Sequence, residues 1–320
     1  MGSGVKALLA ALFLLPALAA AQAYPSKPVR VIVPLAAGGT GDTLARAVSE
    51  EMARILGQPF VVENRPGSGG VIGTEAVAKS APDGYTLLAN SPAHVIHPAL
   101  RGKVGYDAIR DFEPITVIAN THQLVVGHPA VPAATVKELV AYAKKNPGKL
   151  NYGSAGTGSA THLNMEMFKT LTGTFIVHIP YRGSTQSRQD LLAGEVQLSV
   201  DGLLPTLPHI RAGRLKAFGL CSSKRSPVAP DIPTLAEAGV AGYASDTWYG
   251  FVVPAGTPKD IVAALHGAAL KAIHAPAVRD RLEKQGAELV GNTPAEFRAL
   301  LERELKLWSR VVRDSGAKVD

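Results

Sequence analysis

Apolar residues recur along this chain with two different periods. Val29–Val33 and residues 60–62 and 86–89 are short apolar runs, β-branched in part, and read as strands buried on both faces. Leu44, Ala47, Val48, Met52 and Ile55 recur at helical spacing and predict a helix over 42–56, stopped by Gly57. A short helix is expected over 73–79. Further on, strands are expected at 150–152 and 175–179, a helix from Ser159 to Lys169, and another from Ser184. Phe297, Leu301, Leu305, Trp308 and Val312 form one stripe of a final helix. Two helix starts carry capping boxes, Thr135 with Glu138 and Thr293 with Glu296, and Pro258 stands in the first turn of a third. Repeated strand-then-helix order implies α/β layers with parallel sheets.

The front of the chain departs from this pattern. Lys6 precedes an apolar run over 7–20, and Ala21-Gln22-Ala23 has the small-x-small form of a cleavage site. The run, roughly 14 residues, is shorter than the ~20 a membrane span requires. It reads as a secretory signal peptide over 1–23, cleaved near Ala23, with a periplasmic product. Cys221 is the single cysteine, so no internal disulfide can form. The 33 Lys+Arg outnumber the 26 Asp+Glu, but no basic run exceeds Lys144-Lys145. A nucleic-acid binder would gather that charge into a stripe; a diffuse positive field either favours small anions or serves solubility alone.

Two stretches repeat one design. Val29–Val33 runs into Pro34-Leu35-Ala36-Ala37-Gly38-Gly39-Thr40-Gly41 and then a helix. Leu150-Asn151-Tyr152 runs into Gly153-Ser154-Ala155-Gly156-Thr157-Gly158-Ser159 and then a helix. A glycine turn at a helix start leaves N–H groups free beside the positive end of the helix dipole, a site for an anion. Two such turns imply two lobes facing a shared cleft. The chain is expected to cross between them at 118–126 and 243–251, giving one lobe over 24–122 and 250–320 and a second over 123–249. In the second turn Ser154, Thr157 and Ser159 add hydroxyl donors. Tyr181, with Arg182 as a candidate charged anchor, ends on the loop after the 175–179 strand.

Other chemistries fit less well. Gly67-Ser68-Gly69 with Gly73 is one residue too long for a dinucleotide fingerprint, and Pro66 precedes it. No G-x-S-x-G elbow is present. A hydrolase would have to assemble Ser154 or Ser159 with His162 and Asp201, which their spacing does not support. His94 and His97 are an i, i+3 pair without a nearby third metal ligand. No catalytic residue, metal or cofactor is expected.

A set of motifs carries a family resemblance. Tyr24 to Pro34, the Gly38-Gly39 turn with Asp42 and Ala45-Arg46, Val61 to Gly70 and Pro82 to Leu88 are similar to the Bug family. So are Leu150 to Gly156 with His162-Leu163, His178 to Gly183, Asp231 to Thr234 with Glu237 to Gly239, and Pro254 to Pro258. The Bug or TctC family comprises extracytoplasmic receptors of tripartite tricarboxylate transporters. The resemblance implies a two-lobed periplasmic-binding-protein (Venus-flytrap) fold with mixed, mostly parallel sheets. It implies a monomeric receptor that captures a small carboxylate (a di- or tricarboxylate, acidic amino acid or aromatic acid) and passes it to membrane transporter subunits, or to a sensor partner. Carried over, Leu35, Ala37, Gly38, Gly39 and Thr40 meet one end of the ligand. Ser154, Gly156, Thr157, Gly158 and Ser159 hold a carboxylate at the other. His162 and Asp201 line or support the cleft, and Ser91 and His94 form its side wall. The family's first turn is usually Pro-Phe-x-Pro-Gly-Gly; here Leu35 and Ala37 replace the aromatic and the second proline, which alters the shape of the site.

Overall fold

The structure is a computed structural model that describes residues 24–315 apart from Asp246 and Gln285. The expected signal peptide lies outside the described residues. In chain order the elements begin β1 (Val29–Val33), α1 (Thr40–Leu56), β2 (Phe60–Asn64), α2 (Val71–Ala78), β3 (Thr86–Asn90), α3 (Ala93–Arg101) and β4 (Phe112–Thr121). They continue β5 (Gln123–Gly127), α4 (Val136–Lys145), β6 (Asn151–Ser154), α5 (Ala160–Thr172), β7 (Val177–Pro180), α6 (Ser184–Ala193), β8 (Leu198–Gly202), α7 (Leu203–Arg211) and β9 (Lys216–Leu220). The last are β10 (Thr247–Pro254), α8 (Lys259–His274), α9 (Pro276–Glu283), β11 (Ala287–Leu289) and α10 (Pro294–Ser315).

The strands form two sheets, ordered β11-β4-β10-β3-β1-β2 and β7-β6-β8-β5-β9. The chain passes from the first to the second across the single residue His122, and it returns between β9 and β10. Both sheets are mixed, but the expected parallel majority is corrected. Only β1–β2, β1–β3, β6–β7 and β6–β8 run parallel, against five antiparallel pairs. The reason is topological: β10 in the first sheet and β5 in the second, the strands next to the crossings, each run against both of their neighbours, and β11 runs against β4 at the edge.

Side chains alternate across each sheet, so each sheet has two apolar faces. In the first, Val29, Val31 and Val33 face Leu44, Val48 and Met52 of α1 and Leu265 and Ile273 of α8. Ile32 and Leu88 face the other way, onto Val95 and Ile96 of α3 and Phe297, Leu301 and Trp308 of α10. In the second sheet Val125 and Tyr152 pack on Leu139 of α4 and Phe168 of α5. Leu124 and Val126 pack on Leu191 of α6 and Leu207 of α7. This two-residue period places helices on both sides of each sheet. Both expected capping boxes are present. Thr135 accepts from the Glu138 N–H at 3.2 Å while Glu138 accepts from the Thr135 N–H; Thr293 and Glu296 exchange the same pair.

The two sheets do not pack as independent bodies. Leu163 of α5 enters the α3–α10 core and Leu204 of α7 enters the α1–α8 core. The C-terminal ends of β1, β3, β6 and β8 lead straight into helices α1, α3, α5 and α7, and these ends meet between the sheets.

Candidate functional site

The meeting place is a cavity of about 40 Å³. Its first-sheet wall is the turn after β1 (Val33 to Ala36), the start of α1 (Gly39 to Asp42), and Ala89, Ser91 and Ala93 around the end of β3. Its second-sheet wall is Ala155 and Ser159 to Thr161 at the start of α5, Ser184 at the start of α6, and Gly202 before α7. Gln123 and Tyr249, from the two crossing strands, form the back. Five helices therefore direct an N-terminal end at one small space. No Lys or Arg side chain lines it among the described residues.

The first turn is braced by charge. Asp42 Oδ2 accepts the Gly38 N–H at 2.9 Å, and its Oδ1 accepts from Arg46 Nε and Asn64 Nδ2, each at 3.0 Å. Asn64 also donates to the Leu35 carbonyl. Burial alone would raise the Asp42 pKa, but the bonds from Arg46, Gly38 and Asn64 outweigh it and hold the carboxyl below its ordinary range. Gly39 caps α1 without any side-chain bond, which leaves its first N–H groups for another partner.

The second turn is braced by hydroxyls and imidazoles. Ser154 is fully buried, and its Oγ accepts the Gly156 N–H at 3.1 Å. Ser154 also bonds His178 Nε2 at 2.6 Å. Burial, then the neighbouring His162, lowers the His178 pKa to about 3, so its ring is neutral. His162 Nδ1 accepts the Gly158 N–H at 3.1 Å, and its ring stacks on His178 with centroids 4.2 Å apart. Thr161 Oγ1 accepts the Ala155 N–H at 2.9 Å. Ser159 caps α5 by accepting from the His162 N–H at 3.3 Å.

The two walls also touch. Thr185 donates to the Ala37 carbonyl at 2.6 Å, and Arg188 reaches the Gly38 carbonyl at 3.3 Å while paired with Asp201 at 2.7 Å. Gly69 stacks on the second turn. It has φ +68°, and a Cβ there would strike the Thr157 carbonyl and come within 2.8 Å of the His97 ring. The glycine-rich 67–70 loop, unexplained as a nucleotide motif, is thus a face of the seam.

Of the residues expected at the site, Leu35, Gly39, Thr40, Ser91 and Ser159 line the cavity. Ala37, Gly38, Gly156, Thr157 and Gly158 lie at its edge, where the two turns touch or are braced. Ser154, His162 and Asp201 stand behind the wall rather than on it. Tyr181 is turned away, its hydroxyl bonded to Asp190 at 2.7 Å. His94 does not join the side wall: its ring is buried between Tyr106 and Phe112 and bonds the Ala108 carbonyl. The hydrolase set does not assemble, because Asp201 bonds Arg188 and the Gly202 N–H rather than a histidine.

Sequence reasoning missed Thr161, Ser184, Gln123 and Tyr249. The Tyr249 hydroxyl bonds Thr40 and Gln123, and its pKa is pushed up to about 12, chiefly by burial. Gln123 and Tyr249 are polar interruptions in the apolar crossing segments, and Gly183-Ser184 is a third glycine turn before a helix; both signals were available in the sequence.

Comparison with known proteins agrees with this geometry. Residues 44–317 match the model of the tripartite tricarboxylate transporter family receptor, TctC. The periplasmic binding protein BugD is 35% identical with a TM-score of 0.90, over 92% of this chain and 99% of its own. R. palustris Rpa4515, solved with adipate, is 35% identical with a TM-score of 0.88, over 92% of this chain and 100% of its own. MatC from Rhodopseudomonas palustris, solved with bound malate, is 34% identical with a TM-score of 0.87, over 90% of this chain and 100% of its own. With its two α/β lobes and the cavity between their helix starts, the chain belongs to the TctC family of tripartite tricarboxylate transporter receptors.

Proposed function

We propose that the protein is a periplasmic receptor that captures a small carboxylate between two lobes and hands it to the membrane subunits of a tripartite transporter. The observation that carries this reading is the convergence of five helix N-termini on a cavity without a cationic side chain. Partial positive charge from N–H groups suits an anion held by backbone and hydroxyls. Charge-assisted bonds contribute roughly 1.5–3 kcal/mol each, and each helix dipole about 0.3–1 kcal/mol. Three or four bonds reach micromolar affinity, about −8 kcal/mol, after ordering costs. The relatives solved with adipate and malate support the same class.

A cavity of about 40 Å³ holds roughly three water molecules by the space each needs. A four-carbon diacid is larger, so admitting one requires the lobes to part and close again. The lobes we propose are residues 24–122 with 250–320, and 123–249, with the hinge in the crossing segments; within the second of these, Thr247 to Tyr249 of β10 pair with β4 and stay with the first sheet. Ligand touching both favours the closed form by its differential affinity. The receptor acts as a monomer without catalysis, after the leader is cleaved near Ala23. A thermal-shift panel of mono-, di- and tricarboxylates tests the reading. A ligand at 100 times its dissociation constant stabilises by about 2.7 kcal/mol, a rise of a few degrees. No shift with any carboxylate, on protein freed of carried-over ligand, contradicts it.

A further inference from the structure

A buried histidine of the first lobe is seated against the glycine turn of the second. His97, on α3, has its ring in the seam between Gly69 and Gly158. Its Nε2 lies 3.0 Å from the Gly69 carbonyl oxygen. A carbonyl only accepts, so Nε2 carries the proton and Nδ1 is the bare nitrogen. That Nδ1 is buried and has no hydrogen-bond partner among the described residues. Gly158 covers it: a Cβ built on Gly158 would fall 2.7 Å from Nδ1. The Gly158 N–H does not serve it, being donated instead to His162 Nδ1 at 3.1 Å.

Such a seat suits a neutral ring. A second proton, on Nδ1, would be a buried donor on a buried cation, with no acceptor. The groups that act on the ring offer it no anion: Arg101 and His94 stand on its own helix, and His162 stands across the seam on α5. The 67–70 loop and the 156–158 turn hold no titratable side chain. No carboxylate of α2 or α10, which also pack on α3, acts on the ring. Burial above all lowers its pKa to about 4; the Gly69 bond opposes this, and Arg101 and His162 add to it. When the lobes part, Gly158 leaves with the second lobe and Nδ1 meets water, where the ring titrates near its ordinary value of about 6.5. We propose that His97 is a positioning residue that couples ligand capture to a proton: the lobes close when its ring is neutral, and in mild acid closure sends the Nδ1 proton to solvent. The inference rests on the carboxylate-receptor reading and deepens it by naming a control of the same site. By linkage, affinity is complete above pH 6.5 and is lost as pH falls toward 4. His178 differs, because Ser154, Tyr152 and His162 around it all belong to the second lobe and stay with it when the lobes part.

The experiment is calorimetric titration of the mature protein with malate, succinate and adipate at pH 7.5 and 5.5. Each titration is run in two buffers of different ionisation enthalpy, which counts the protons released. In the wild type, affinity is expected to fall about tenfold between the two pH values beyond the ligand's own titration, with about 0.9 proton released per ligand at pH 5.5. His97→Gln keeps a donor for the Gly69 carbonyl and cannot titrate. Its affinity ratio between the two pH values and its proton count are expected to drop to the ligand's own share. A wild type that releases no proton beyond that share, or a variant that keeps the full release, overturns the inference and leaves the carboxylate reading standing. If the variant does not fold, histidine NMR of the wild type decides. One ring is expected to titrate near 6.5 without ligand and below about 5 with it, and rings unmoved by ligand overturn the inference. Failure of all three diacids and of a wider carboxylate panel to bind at pH 7.5 overturns the underlying reading and the inference with it.

Discussion

The two glycine turns face one another across the same cavity, yet they are held in opposite ways. The first, from Pro34 to Gly39, is fixed by an ionised carboxylate: Asp42 gathers Gly38, Arg46 and Asn64. The second, from Gly153 to Ser159, is fixed by hydroxyls and imidazoles without a carboxylate: Ser154 with His178, Thr161, and His162. In both, the protein itself takes up some of the turn's N–H groups, His162 of α5 among them, and the starts of α1 and α5 stand at the cavity. A turn with every amide free would gain more from a ligand but would not hold its shape without one. The contrast also divides the labour in charge. The first turn brings a carboxylate with its own counterion, and the second brings none, so neither repels an anion. Arg188 joins the two, bonded to Asp201 on one side and to the Gly38 carbonyl on the other.

Breaking that bridge has the largest expected effect. Arg188→Ala leaves the buried Asp201 without its partner and should cost about 3–5 kcal/mol. Replacing both, Arg188→Met with Asp201→Leu, should recover much of that loss. Denaturant melts of the single and double variants measure this, and equal losses in the two would show that the pair is not the cause. Next in size is the seam. Gly69→Ala places a methyl against the Thr157 carbonyl in the closed form. Overpacking costs about 1–3 kcal/mol, so affinity should fall roughly ten- to hundredfold. Calorimetry that finds wild-type affinity would remove Gly69 from the closing surface. Ser159→Ala, which removes the α5 cap, should lower stability by about 1 kcal/mol and weaken ligand a few-fold, as read by paired melts and titrations. The corresponding position of the first turn, Gly39, has no side chain to lose, so this change sharpens the contrast.

The smallest effect at neutral pH concerns His178. Folded, it stays neutral down to about 3, whereas the unfolded ring takes up its proton near 6.5. Stability is therefore complete above pH 6.5 and is lost as pH falls toward 3, at up to about 1.4 kcal/mol per pH unit. The buried His94 and His97, lowered to about 4 mainly by burial, act in the same direction. His178→Gln should leave the pH 7.5 melt nearly unchanged and make the acid side of the profile shallower. A profile as steep as wild type would place the acid sensitivity elsewhere.

The elements that carry these turns were legible because their signals are local. The β-branched run of Val29–Val33 and the glycines after it define strand, turn and helix without reference to distant residues. The α10 stripe is equally plain, and Phe297, Leu301 and Trp308 are buried as that spacing requires. The family motifs then supply the two-lobed arrangement. What the sequence conceals is direction. Ser154 and Ser159 share one turn, but the strand's alternation sends Ser154 inward to His178 while Ser159, past the strand end, meets the cavity. His94 follows Ser91 by three residues, yet α3 turns its ring onto Phe112. Arg188 is the opposite case: its partners Asp201 and Gly38 are distant in sequence, and only the fold brings them together.

The central claim is that one carboxylate ligand is gripped by the helix starts of both turns at once. A crystal structure of the complex with whichever diacid gives the largest thermal shift tests it most directly. The account predicts carboxylate oxygens about 2.7–3.2 Å from first-turn N–H groups of α1 and from those of α5 or the Ser159 hydroxyl, directly or through a single water. A ligand that touches only one lobe, or that lies outside this cavity, would contradict it.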